Sequence, residues 1–135
     1  LASAVVAAVR NSLLSGNGLI GFFAQTAAAG RIVHVSVDGS SSVRNGSSGF
    51  VANSDAGGTI TFVASNSVAN ENAGNGIFAT GAGTTLSVAA SSISRNGGPG
   101  LNQNNNATLR SHGNNAVNGN LSSETTGTIT GIGLM

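Results

Sequence analysis

The side chains able to do chemistry in this chain are few: four carboxylates (Asp38, Asp55, Glu71, Glu124), five arginines and two histidines, with no lysine and no cysteine. Cleaving a glycosidic bond by acid–base chemistry needs two carboxyl groups about 5–10 Å apart, and no two of these stand close in the sequence. Asp55 sits in a Ser-Asp-Ala-Gly-Gly turn, where aspartate bonds the local backbone. Glu124 lies near the end of the chain. His34 alternates with Val33 and Val35, so it faces solvent if the valines face inward. His112 has no carboxylate beside it in sequence, and a metal site needs converging donors. No Gly-x-Ser-x-Gly elbow is present. The glycines at 74–76 and 97–100 precede no helix, so they mark turns rather than a phosphate loop. No catalytic, cofactor-binding or metal-ligating residue is assigned, and no cofactor is expected.

The rest of the chain is a scaffold of small residues, with 21 glycines, 19 serines, 19 alanines and 17 asparagines among 135 positions. A net charge of +1 without a clustered basic face excludes a nucleic-acid binder. Absence of cysteine excludes disulfide frameworks and thiol catalysis. No run reaches the roughly 18 apolar residues of a membrane span, so no membrane insertion is expected. The opening run Leu1-Ala-Ser-Ala-Val-Val-Ala-Ala-Val9 has the apolar character of a signal-peptide tail but no basic start. Its second half fits the repeat described next. The chain therefore reads as a single domain over 1–135, a fragment or the C-terminal part of a longer protein, with 121–135 as a tail or cap.

A repeat organises the whole sequence. Asn17, Asn45, Asn72 and Asn96 each stand four residues before a glycine (Gly21, Gly49, Gly76, Gly100) that is followed by Phe22, Phe50, Ile77 or Leu101. Two positions further on come Ala24, Ala52, Ala79 and Gln103. The asparagines are 28, 27 and 24 residues apart, yet the local motif does not slip. Eight residues before the asparagine lie Val9, Val37 and Val88, with Val63 one position out of step. Three before it lie Leu14 and Ile93, with Val43 and Val68 displaced by one. A degraded fifth copy runs from about Leu109 to Asn120.

Short alternating runs such as Val33-His-Val-Ser-Val37 and Thr59-Ile-Thr-Phe-Val63 predict strands, and the glycine punctuation between them predicts turns. Three strands and three turns per repeat close one coil, which buries its inner face only by stacking on its neighbours. The expected fold is all-β: a right-handed parallel β-helix, a solenoid of about five coils of 24–28 residues. At about 4.8 Å per coil it is roughly 20–25 Å long.

The serine-rich strand before the asparagine (Ala-Ser-Asn-Ser-Val-Ala, 64–69; Ala-Ser-Ser-Ile-Ser-Arg-Asn-Gly, 90–97) and the glycine-led strand after it resemble the right-handed parallel β-helix family. These are the pectate-lyase-like solenoids, including those of the bacterial surface and secreted type. The resemblance covers about Ala4 to Asn120. It implies a ladder of stacked side chains at Asn17, Asn45, Asn72 and Asn96, since a carboxamide both donates and accepts. It also implies that an enzyme of this type gathers aspartates on an outer face, which this chain does not offer. A calcium-binding β-roll would need an aspartate in every nonapeptide. A curli-like repeat would need periodic glutamine, and glutamine occurs only at 25 and 103.

The register makes three further expectations. Asp38 falls one coil after Arg10 in the same column, so the two should pair. Arg44, Glu71 and Arg95 each precede a ladder asparagine and should form a charge stack of alternating sign. If Phe22, Phe50, Ile77 and Leu101 face inward, Phe23, Val51, Phe78 and Asn102 face outward as a candidate contact stripe. Such a patch marks a contact surface, unless the tail 125–135 folds over it. Two functions follow as expectations. The first is a non-enzymatic structural or adhesive rod, extracellular or on the cell surface, presenting a repetitive face to polysaccharide or to copies of itself. The second is the C-terminal part of a polysaccharide-binding or polysaccharide-degrading β-helix whose active coils lie outside this chain.

Overall fold

Strands two to seven residues long have too little apolar surface to fold alone, and they gain it here by pairing with the equivalent strand one repeat away. The computed structural model describes residues 4–133. Leu1–Ser3 of the opening run, and Leu134 and Met135 of the tail, lie outside the described residues. The first coil consists of β1 (Ala4–Arg10), β2 (Leu13–Ser15) and β3 (Phe22–Thr26). The second holds β4 (Ile32–Asp38), β5 (Ser41–Val43) and β6 (Phe50–Ser54), and the third β7 (Thr59–Ser65), β8 (Val68–Asn70) and β9 (Ile77–Thr80). The fourth holds β10 (Thr84–Ala89), β11 (Ser92–Ser94) and β12 (Leu101–Asn104). The fifth holds β13 (Thr108–His112), β14 (Ala116–Asn118) and β15 (Thr125–Thr126), after which β16 (Ile129–Ile132) adds to the first sheet.

Equivalent strands pair in parallel. The first sheet has six strands, β1-β4-β7-β10-β13-β16, and the second and third have five each. No helix forms among the described residues. The chain is a parallel β-solenoid of about five coils.

The register accounts for the valines that looked out of step. Val9, Val37, Ala64 and Val88 share one column, so alanine takes the inward place and Val63 points out, 41% exposed. In the second sheet the column is Leu14, Ser42, Ala69, Ile93 and Val117, with Val43 and Val68 beside it rather than in it. The small residues compensate for a large one. Phe62 fills the third coil, its ring 6.4 Å from that of Phe50 and 5.9 Å from that of Phe22, and Ala64 and Ala69 of the same coil keep the volume within bounds. Phe50, Ile77 and Leu101 are fully buried in the third sheet's inner column. Phe22, in the same column, is only half-buried because its coil is covered on one side.

The second corner keeps its length in all five coils and the first in four of them. The first turns on one residue with positive φ in each of four coils (Asn11 47°, Gly39 59°, Asn66 49°, Ala90 48°). The second does so in all five (Gly16 66°, Arg44 54°, Glu71 57°, Arg95 53°, Gly119 67°). For the non-glycine residues this costs roughly 1–2 kcal/mol each, so the corner must be held by something else. Among the first four coils the length variation falls at the third corner, where the links 27–31, 55–58 and 81–83 shorten along the chain; the fifth coil adds one residue at the first corner, 113–115 in place of a two-residue link.

Truncating Phe50 to Ala is expected to cost about 3–5 kcal/mol through lost burial and a residual cavity. Phe22→Ala is expected to cost about half as much. Urea denaturation checks both, and equal losses would show that the first coil is packed as tightly as the second.

Candidate functional site

What holds the second corner is a column of carboxamides. The Nδ2 of Asn17 donates to Oδ1 of Asn45 at 2.9 Å, Asn45 to Asn72 at 2.9 Å, Asn72 to Asn96 at 3.0 Å, and Asn96 to Asn120 at 2.9 Å. Each Oδ1 also accepts the backbone N–H of the preceding asparagine, at 3.1 Å in every case. The second Nδ2 hydrogen reaches back to a strand carbonyl: Leu14, Ser42, Ala69 and Ile93 in turn. The ladder therefore has a fifth rung, Asn120, in the copy that looked degraded.

The ladder dictates the glycine four residues later. A Cβ on Gly49 would lie 2.6 Å from the carbonyl oxygen of Gly76 and 2.9 Å from Asn72 Nδ2. At Gly100 it would lie 2.5 Å from Asn120 Nδ2. Only glycine leaves the rungs in contact.

Glu124, placed in the tail by its position in sequence, ends the column. Its Oε2 accepts from Asn120 Nδ2 at 2.7 Å and its Oε1 from the backbone N–H of Gly119 at 2.8 Å. In the inner coils those donors meet the next coil's carboxamide and strand carbonyl; Arg44 N–H, for example, reaches Asn70 O. One carboxylate replaces both. Being an acceptor only, it requires Asn120 to present Nδ2, which sets the orientation of every rung above.

A second ladder at the first corner escaped the sequence reading. Ser12 N–H donates to Ser40 Oγ, Ser40 N–H to Ser67 Oγ, Ser67 N–H to Ser91 Oγ and Ser91 N–H to Asn115 Oδ1, all at 2.9–3.2 Å. Each serine hydroxyl donates to the carbonyl two residues earlier. The signal was present: all five residues stand five positions before a ladder asparagine. In so serine-rich a chain that regularity has little contrast.

Among the described residues the ion pairs are those of Glu71, whose Oε2 lies 2.9 Å from Arg44 Nε and whose Oε1 lies 3.1 Å from Arg95 Nη2. Hydrogen bonds from Arg44 and then Arg95 hold the Glu71 carboxyl below the ordinary glutamate range, and the charge of Arg44 adds to this. The expected Asp38–Arg10 ion pair is not formed, although the two are paired in register. Asp38 Oδ1 instead accepts Asn66 Nδ2 and Ser65 Oγ, both at 2.9 Å, because the next coil supplies donors at closer range. Asn66 and then Ser65 lower its carboxyl pKa, with a smaller share from the charge of Arg10. Asp55 accepts from Gln25 and Asn53 at the third corner. His34 is exposed on β4, and the half-buried His112 pairs in register with Ile132.

Phe23, Val51, Phe78 and Asn102 lie in one register column on the third sheet. They are not equally open. Phe23 is 46% exposed and Phe78 half-buried, while Val51 is only 4% exposed although it stands outside the core. Asn102 turns its Nδ2 onto Asn75 Oδ1 at 2.9 Å. The three apolar residues floor a groove of about 260 Å³, lined beside the second corner by Ile20, Ser47, Ser48 and Asn75 and toward the third corner by Asn53 and Thr80. Among its described residues, the tail does not fold over it. Thr125 and Thr126 pair with β12, and Ile129–Ile132 pair with β13, so this segment continues the stack.

Asn72→Ala is expected to destabilise the fold by about 3 kcal/mol, since it strips the buried Asn45 N–H of its acceptor. Asn17→Ala, at an exposed end rung, is expected to cost well under half of that; chemical denaturation compares them. For Glu71 the folded pKa is depressed, so its contribution to stability is complete above the ordinary glutamate pKa and is lost as pH falls through the lower folded value. Carboxyl-detected NMR titration should place Glu71 below an unpaired glutamate and show its midpoint rising in Arg44→Ala. An unmoved midpoint would remove the charge stack as its cause.

No family model, no curated protein and no solved structure matches the chain.

Proposed function

We propose that this protein is a non-enzymatic adhesive rod, displayed outside the cell in the manner of bacterial surface solenoids, that presents the groove of its third sheet to polysaccharide. The observation that carries this reading is the groove itself, with aromatic rings on its floor, carboxamides and hydroxyls on its walls, and a tail that stacks elsewhere. Aromatic faces and amide groups together suit a ligand that is apolar on its ring faces and polar at its edges. The carboxylates support a structural rather than a catalytic use. Each is engaged at its own place: Asp38 with Ser65 and Asn66, Asp55 with Gln25 and Asn53, Glu71 with two arginines, and Glu124 at the end of the ladder. Stacked ladders on two corners make the rod stiff, as a passive presenting surface requires.

The double variant Phe23→Ser/Phe78→Ser leaves the inner columns untouched, so its circular dichroism is expected to match the parent's, with a modestly lower urea midpoint because Val51 loses cover. Retention on polysaccharide-coated surfaces is expected to fall at least about tenfold, the loss of two stacking contacts. Undiminished retention by a folded double variant would overturn the assignment of the groove.

A further inference from the structure

Resting on that reading, we infer that the groove takes a neutral, flat chain of β-1,4-linked pyranoses lying along the solenoid axis. The first argument is spacing. Phe23 and Phe78 occupy the same column two coils apart, about 9.6 Å at the strand spacing of a sheet, with the smaller Val51 between them. In an extended β-1,4 chain each pyranose is flipped relative to the last, so every second sugar presents the same face. The disaccharide repeat of such a chain is close to the rise of two coils. A sugar stacked on Phe23 therefore sets the next but one on Phe78, while the flipped sugar between them passes over Val51.

The second argument is the wall chemistry. Ser48 Oγ accepts from the backbone N–H of Asn75 at 3.2 Å and from its Nδ2 at 3.1 Å, and its own proton has no protein acceptor among the described residues, so it is left to donate to a ligand. On the opposite wall Asn53 gives Nδ2 to Asp55, and its Oδ1 has no protein donor among the described residues. One wall thus offers a donor and the other an acceptor, as the hydroxyls along the two edges of a pyranose chain require.

The third argument is charge. Among the described residues no charged side chain lines the groove, and the carboxylate bonded into its walls is Asp55, through Asn53. A uronate chain brings one negative charge per sugar and would need cations that these walls do not hold. The groove selects against it.

Isothermal titration of the full chain with cellohexaose, chitohexaose, cellobiose and hexagalacturonate tests this. At least one of the two neutral hexamers is expected to bind, and the pair shows whether glucose or N-acetylglucosamine units fit better. Cellobiose is too short to reach both rings and is expected to bind at least tenfold more weakly than cellohexaose. Hexagalacturonate is expected not to bind. Phe23→Leu/Phe78→Leu keeps the apolar volume but removes the rings, and it is expected to lower the affinity roughly tenfold with the fold intact. Hexagalacturonate binding as tightly as the neutral hexamers, and lost in the serine double variant, would overturn this inference while leaving the adhesive reading in place. Disaccharide binding equal to hexamer binding would also overturn it. No saccharide binding, together with self-association that disappears in the serine double variant, would overturn both and make the groove a contact between copies.

Discussion

The fold depends on satisfying one kind of corner. The chain turns between its second and third sheets over six residues, the first of them left-handed, and the turn buries amide groups beyond reach of water. The asparagine that follows resolves this with a single side chain, accepting from the backbone behind it and donating to the carboxamide ahead. Everything near it then becomes constrained. The glycine four positions on has to be glycine because the carboxamide occupies the place of a Cβ. The residue before it tolerates a strained φ because the neighbouring bonds hold it, and that is where Arg44, Glu71 and Arg95 stand.

These constraints explain what could be read from the sequence. The asparagine, glycine and large apolar positions keep their offsets because a shifted residue would break a buried hydrogen bond, so the period survives 28-, 27- and 24-residue spacings. The inward columns of the first two sheets were harder, since only summed volume within a coil is constrained. Ala64, Ser42 and Ala69 hold core places that a search for valine passes over. Ser42 is tolerated there because its hydroxyl donates to Gly49 O and accepts from Asn45 Nδ2. Surface pairing was least legible. Register brings Arg10 beside Asp38, yet which partner a carboxylate takes depends on side-chain reach, and Ser65 and Asn66 reach it first. For the outward stripe, the column was legible but its depth was not. Alternation says that Val51 points out; it does not say that two neighbouring coils leave it almost no open surface.

The inner ladders and the outer groove make independent demands. The first and second corners are fixed by buried bonds, whereas the third is held by short links whose length changes from coil to coil. Asn53, Asp55 and Thr80 stand at or beside that variable corner, and Ser48 and Asn75 at the fixed one. The groove thus has one wall that repeats with the solenoid and one that is free to differ without disturbing the stack.

The carboxamide column also has an electrical direction. In every rung Oδ1 faces the preceding coil and Nδ2 the following one, so the amide dipoles add head to tail down the axis, as peptide dipoles do in a helix. The positive end of this sum falls at Asn120, and there the chain places a full negative charge, Glu124. A neutral acceptor could complete the hydrogen bonds at that position but would leave the accumulated dipole unopposed. The solenoid is in this sense polarised along its axis, with the positive end of the ladder neutralised by a residue of its own sequence.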